Sequence, residues 1–337
     1  MTTLRSDTIA GLNGDGTVFE GDITFDSLNY MTLPKGTTTQ SNRGRGLYGG
    51  GAFDSSTSPA NIAYINIQSQ GNTTVFGELT QSNRVWIKGM GSSTRAIFAG
   101  GAGSPGSPIV NVIDYVTIAS TSNATDFGDL LTAGFARGSH SNSTRGIVAG
   151  GNTTSDVMYY LTIATTGNAA DYGDLTVGRR GVGSMGSPTR AVWAGGVGSP
   201  ANVDTMDYST IASTGNATDF GNLLSAGRFD SNGASSNTRG IIAGGNTGSD
   251  VNTIQYITIA STGNATDFGD LQQVQEAPGS LDNSIRGVFS GSYQNPTSHN
   301  TMNYITIATT GNAADFGDNT SSNYAAGGTS DSHGGLS

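Results

Sequence analysis

Three phrases recur along this chain at locked intervals, and that periodicity restricts the possible folds more than any other property of the sequence. One is TRGIVAGG (144–151), with relatives TRAIFAGG (94–101), TRAVWAGG (189–196), TRGIIAGG (238–245), IRGVFSG (285–291) and, more loosely, GRGLYGGG (44–51). A second is built on a tyrosine, as in YITIAS (256–261). Its copies at Tyr64, Tyr115, Tyr160, Tyr208, Tyr256 and Tyr304 lie 51, 45, 48, 48 and 48 residues apart. The third, GNATDFGDL (263–271), carries its aromatic at Phe76, Phe127, Tyr172, Phe220, Phe268 and Phe316, with the same spacings. One unit is therefore written six times, from about residue 43 onward.

Each unit reads as strands. The run Ile241, Ile242, Ala243 before Gly244 and Gly245 is short, continuously apolar and ended by glycines, as expected of a strand buried on both faces. The tyrosine phrase is β-branched and aromatic, which also favours a strand. The third phrase enters through a Gly-Asn turn, and the polar segment before the next TRG supplies a fourth strand. Four short strands every 45 to 51 residues predict an all-β, six-bladed β-propeller. Solenoid β-helix repeats are much shorter, and tandem sandwiches need about 100 residues per domain.

The units resemble kelch repeats. Gly150 and Gly151 match the double glycine, Tyr160 the tyrosine of the next strand, Tyr172 and Leu175 the outer aromatic and leucine, and Arg180 the arginine of the innermost strand. The chain departs from kelch by using Phe or Tyr for the outer Trp, and by placing Phe135 and Glu276 where other units have that Arg. The resemblance implies a kelch-like propeller without implying a function. The segment 319–335 aligns with the inner-strand region of a unit but has no unit after it, so a C-terminal strand is expected to complete the first blade and close the ring.

Composition limits the partners. A formal net charge of −10 disfavours nucleic acid, whose non-specific binding needs a concentrated Lys and Arg surface. There is no Cys, which removes disulfides and thiolate metal sites. The first residues lack the apolar core of a signal peptide, and no run of about 18 apolar residues occurs, so membrane insertion is not expected.

Residues 1–42 match none of the repeats. They are read as an N-terminal attachment arm containing a short β segment (17–36), or else as a strand pair lying on the propeller, with 43–337 as the propeller domain. Near-verbatim blades with ATTGNAADFGD-like endings, TRGIIAGG-like strands and an unrepeated head running into LPKGTTTQ resemble virion structural proteins of tailed bacteriophages, particularly marine ones. That resemblance implies a non-enzymatic protein made in a host cytoplasm and present in multiple copies on a particle. It would be mounted on a tail appendage, baseplate or capsid surface through contacts of residues 1–42 with other virion proteins. The polar loops suit weak contacts with host surface glycans. The alternative is a lectin or polysaccharide-processing enzyme on the same scaffold.

Candidate chemistry is sparse. The acids of the third phrase, Asp126 with Asp129 and Asp267 with Asp270, could join a Ca2+ site, but the six to eight oxygens that Ca2+ takes are not visible. The competing reading has Asp capping its own turn and the aromatic packing between blades. The arginines Arg95, Arg145, Arg190, Arg239 and Arg286, with Arg45 as first copy, form either an anion-binding ring around the channel or structural pairs with acids such as Asp129 and Asp174. His140, His299 and His333 have no metal-like spacing and read as loop or surface residues. Asn123, Asn216 and Asn264 form glycosylation-like sequons only because the NAT turn repeats. No catalytic motif or cofactor signature is found. Tyr293 and Phe229 are candidate exposed aromatics, and function is expected where the copies differ.

Overall fold

The computed structural model describes residues 44–51, 60–82, 84–103, 108–224, 227–294 and 297–332. The expected arm at 1–42 lies outside the described residues. Six four-stranded antiparallel sheets follow one another, the six blades of a β-propeller. In blade 3 the order from the inside outward is Gly138–Ser141, Arg145–Ala149, Val157–Thr162 and Ala170–Asp174, and the other blades repeat it.

The burial of each strand follows from its sequence. The second strand, holding the TRG phrase, is buried at four successive positions, as its continuous apolar run requires. The tyrosine strand alternates more, and the outer strand buries only its aromatic. The innermost strands are rich in glycine and serine, because six backbones converge there. A methyl added at Gly89 would lie 2.4 Å from the Gly328 carbonyl oxygen.

The apolar cores lie between blades, one at each of the six interfaces. Between blades 2 and 3, Ile97, Ile113 and Phe127 pack against Val148, Leu161 and Ile163. Between blades 3 and 4, Tyr172 and Leu175 pack with Trp193 and Ile211. A sheet that buries both faces against neighbours cannot be stable alone, so closure matters. The strand Gly327–Ser330 pairs with Arg45–Gly49 in the register Gly46↔Ser330 to Gly49↔Gly327, completing blade 1. The expected C-terminal seam is therefore present.

The nine-residue phrase explains its own repetition. Its GNA turn in one blade docks on the FGD segment of the preceding blade. The Gly167 N–H donates to the Phe127 carbonyl (2.7 Å), the Ala169 N–H donates to the Asp129 carbonyl (2.8 Å), and the Asn168 side-chain carbonyl accepts from the Asp129 N–H (3.0 Å). The Asn bond recurs at Asn123, Asn216, Asn264, Asn312 and Asn72, the last crossing the seam from blade 6 to blade 1. The Asp is thus not capping its own turn: its amide is capped by the next blade's Asn. Only the backbone of that Asp enters the joint, which is why Glu78 and Asn222 can replace it. The intervening glycine is constrained twice. Gly173 has φ of +140°, and a methyl there would lie 2.5 Å from the Gly215 carbonyl oxygen of the next blade.

The repeated arginines are also interblade fasteners. Each guanidinium of Arg45, Arg95, Arg145, Arg190, Arg239 and Arg286 lies over the ring of its own blade's tyrosine, 4.4 to 4.8 Å from the centroid. Each donates to a main-chain carbonyl of the next blade, as Arg145 does to Ile211 (2.9 Å) and Arg286 to Ile67 across the seam (3.3 Å). The expected pairing with Asp129 or Asp174 is replaced by these carbonyls, and the residues join blades rather than ring the channel. The tyrosines meet the outer aromatics edge-on, Tyr115 to Phe127 at 5.9 Å and Tyr256 to Phe268 at 6.1 Å.

Candidate functional site at one mouth of the ring

The described structure departs from sixfold likeness where each chain segment enters its innermost strand. Six residues there, Trp86, Ala136, Gly181, Asp230, Ala277 and Ala325, share a positive φ of 49° to 66°. Their amides link around the axis: Ala136 donates to Trp86 (3.3 Å), Gly181 to Ala136 (2.7 Å), Asp230 to Gly181 (2.9 Å), Ala277 to Asp230 (2.8 Å) and Ala325 to Ala277 (2.8 Å). These five backbone hydrogen bonds floor a bowl. Four of the six positions carry Ala or Gly, whereas blades 2 and 5, opposite each other, carry Trp86 and Asp230. A tryptophan at φ +49° is an uncommon and strained choice, costing on the order of 1 kcal/mol or more, which marks the position for scrutiny.

The preceding position of each blade is Val85, Phe135, Arg180, Phe229, Glu276 or Tyr324, and all of these but the buried Val85 line the wall. No two neighbours there are alike. The residues after the double glycines of blades 4 and 5 and after Gly291-Ser292 of blade 6 add Val197, Asn246 and Tyr293, held by bridges Arg180↔Val197, Phe229↔Asn246 and Glu276↔Tyr293. The Trp86–Asp230 diagonal divides the bowl into two lobes. One, about 260 Å³, is lined by Phe135, Arg180, Val197 and Phe229; the other, about 210 Å³, by Glu276, Ala277, Tyr293 and Tyr324; Trp86 and Asp230 border both. Trp86 packs on Phe135 (5.7 Å) and Tyr324 (6.2 Å), and Tyr324 on Tyr293 (4.9 Å).

Charge in the bowl is unevenly compensated. Burial raises the Glu276 carboxyl to about 7, helped by a hydrogen bond and like charge from Asp250 and by the charge of Asp230. Burial also raises Asp230, opposed by Lys88 and Arg180. Lys88, under the floor and bonded to the Asn232 side chain (3.3 Å), is lowered to about 8 by burial, against the pull of Asp230. Below it, the channel between the innermost strands holds only about 60 Å³, room for a few waters.

Several predicted residues fall elsewhere. Arg180, expected in an innermost strand, precedes it and is exposed on the bowl wall. The buried arginine is Arg179, paired with Asp207 (2.8 Å) with both side chains fully buried, and Arg84 pairs likewise with Asp114. Burial lowers both arginines despite these partners. Arg228, at the same place in blade 5, has Thr253 instead of an acid, and burial lowers it to about 10. His140 is not a loop or surface residue: it is buried in an innermost strand, its Nε2 3.1 Å from the Ser187 carbonyl, and burial lowers it to about 4. His299 is half-buried and His333 lies outside the described residues. Asp126 and Asp267 are exposed and Asp129 and Asp270 half-buried. Among the described residues no group of three or more His, Cys, Asp or Glu gathers to hold a metal ion. Tyr293 and Phe229, the expected exposed aromatics, are half-buried in the bowl wall.

The fold and bowl define a six-bladed β-propeller with an aromatic and acidic mouth. No model of a known protein family matches the sequence, and no curated protein matches it. Among solved structures, that of YjhT is similar, with a TM-score of 0.63 over 77% of this chain and 95% of that one, at 13% identity. At that identity the likeness extends to the fold alone.

Proposed function

We propose that this protein is a non-enzymatic binding propeller, displayed in many copies on a bacteriophage particle and held there by residues 1–42, which engages host surface glycans through its bowl. The observation that carries the reading is the convergence of Trp86, Phe135, Phe229, Tyr293 and Tyr324 with Asp230, Glu276 and Arg180 on one face, where the copies stop being alike. Aromatic faces stack on sugar rings and the flanking charged groups orient hydroxyls, a combination suited to carbohydrate recognition. Multiple copies on one particle raise avidity where a single bowl binds weakly.

The test measures adhesion of the full chain to host cells and to polysaccharide extracted from them. Trp86→Ala and Tyr293→Ala are expected to weaken both at least about tenfold without changing the melting temperature by more than a few degrees. Unchanged adhesion would reject the bowl as the contact surface. For the particle, a form lacking residues 1–42 should fail to join virions; normal incorporation would reject the anchor.

The Glu276 and Asp250 carboxyl pair favours a second reading, a glycan-cleaving enzyme in which Glu276, raised to about 7, donates a proton to a leaving sugar oxygen. Release of new reducing ends from host polysaccharide, abolished in Glu276→Gln, would select it over the first.

A further inference from the structure

We propose that the 210 Å³ lobe bounded by Trp86, Tyr293, Tyr324, Glu276 and Asp230 binds an ammonium group, carried on an amino sugar. The inference deepens the glycan-binding reading and rests on it for the sugar, though not for the ammonium.

Three aromatic rings line one small cavity, Tyr324 lying 6.2 Å from Trp86 and 4.9 Å from Tyr293, and two carboxyl groups share its wall. The ring faces present negative quadrupole potential and the carboxylates negative charge, so an organic cation gains from both at once. A neutral sugar would leave Glu276 desolvated and uncompensated, whereas Asp230 already has Lys88 and Arg180 near it. Neither basic group of the bowl lines this lobe: Arg180 is in the wall of the other lobe, and Lys88 lines a separate small cavity with Asp230 and Asn232. Glu276 faces Asp250, Asp230 and Asn246, a surrounding that supplies one hydrogen-bond donor and two like charges but no cation. An ammonium entering the lobe would therefore supply a counter-charge that Glu276 lacks. The lobe's size suits one substituted ammonium and part of a ring. The larger lobe, with Arg180 and Phe229, lies alongside for the adjoining residue of a chain.

The test is calorimetric titration of the full chain with a glucosamine trimer, its N-acetylated counterpart and tetramethylammonium. The deacetylated trimer should bind about tenfold or more tightly than the acetylated one, and tetramethylammonium should bind measurably on its own. Because tetramethylammonium cannot titrate, its binding near pH 7 should release a proton from Glu276, read as a dependence of the heat on buffer ionisation. Glu276→Gln, which keeps the shape, should lose the preference and the proton release; Tyr293→Phe, which keeps the ring, should retain both. Equal or tighter binding of the acetylated trimer would overturn the ammonium site while leaving glycan binding standing. Binding of tetramethylammonium but of neither sugar would keep the ammonium site and overturn the glycan reading. Binding of none would overturn both.

Discussion

Removing Asp207 is expected to be among the most damaging single changes in the propeller. Its carboxylate lies 2.8 Å from Arg179 Nη2, accepts from the Thr176 hydroxyl at 2.5 Å, and is wholly inaccessible, as is the guanidinium. Among the described residues the Arg179 Nε and Nη1 atoms have no hydrogen-bond partner, and Nη2 also donates to the Trp193 carbonyl at 3.2 Å. Asp207→Ala therefore strands a buried positive charge with a single carbonyl, a loss of about 3 to 5 kcal/mol. Blade 6 supplies the control, because Gln275 and Asn303 occupy the same two places without charge and are equally buried. Arg179→Gln with Asp207→Asn removes both charges, so it should cost only about 1 kcal/mol. Urea unfolding followed by fluorescence of Trp193, which is buried between blades 3 and 4, measures both variants. A cost below about 1 kcal/mol for Asp207→Ala, or a double variant as unstable as the single one, would refute the reasoning.

Other consequences follow at the joints and the mouth. Gly173→Ala should lose at least about 2 kcal/mol in the same assay, since φ and the next blade's carbonyl both exclude a side chain. Gly215→Ser, at φ of +153° but with open space around it, should cost less than Gly173→Ala. Truncation after Asp318 uncovers the strand Arg45–Gly49, and size-exclusion chromatography should show association through that edge. The Glu276 carboxyl titrates near 7 in the folded protein against 4.5 ordinarily, so the folded state holds the extra proton between those values and stability falls as pH rises through them. Glu276→Gln should thus stabilise the protein at pH 8 by roughly 1 kcal/mol, once solvent screening at a half-exposed group is allowed for, and change little at pH 4.

The architecture was readable because every blade reuses the same few packing solutions, so period, strand count and closing seam all surface as repetition. What each repeated residue touches was less readable. Arg145 reaches a main-chain carbonyl two strands into the next blade, and a carbonyl has no signature in the side-chain sequence. The Asn capping Asp129 is likewise found only by setting one unit beside the next. The bowl was partly visible, since Phe135 and Glu276 stand out where another unit has Arg180, and Phe229 and Tyr293 read as candidate exposed aromatics. Trp86 and Asp230 were missed. Stacking the six units on the entry to the innermost strand would have exposed them against Ala136, Gly181, Ala277 and Ala325. The buried Asp114 and Asp207 escaped for a similar reason: the residue before each tyrosine varies, and nothing local says that an arginine of the same blade points at it.

The docking of each GNA turn on the preceding FGD segment has an evolutionary consequence. Because the front and back of every unit fit each other, a unit copied or lost in frame meets a compatible joint on both sides, as the stones of an arch do. The number of blades is then decided by the angle each joint subtends rather than by any recognition between particular units. Lineages can lengthen or shorten the ring by recombination while the side chains of the mouth, which take no part in the GNA–FGD joints, diversify one blade at a time.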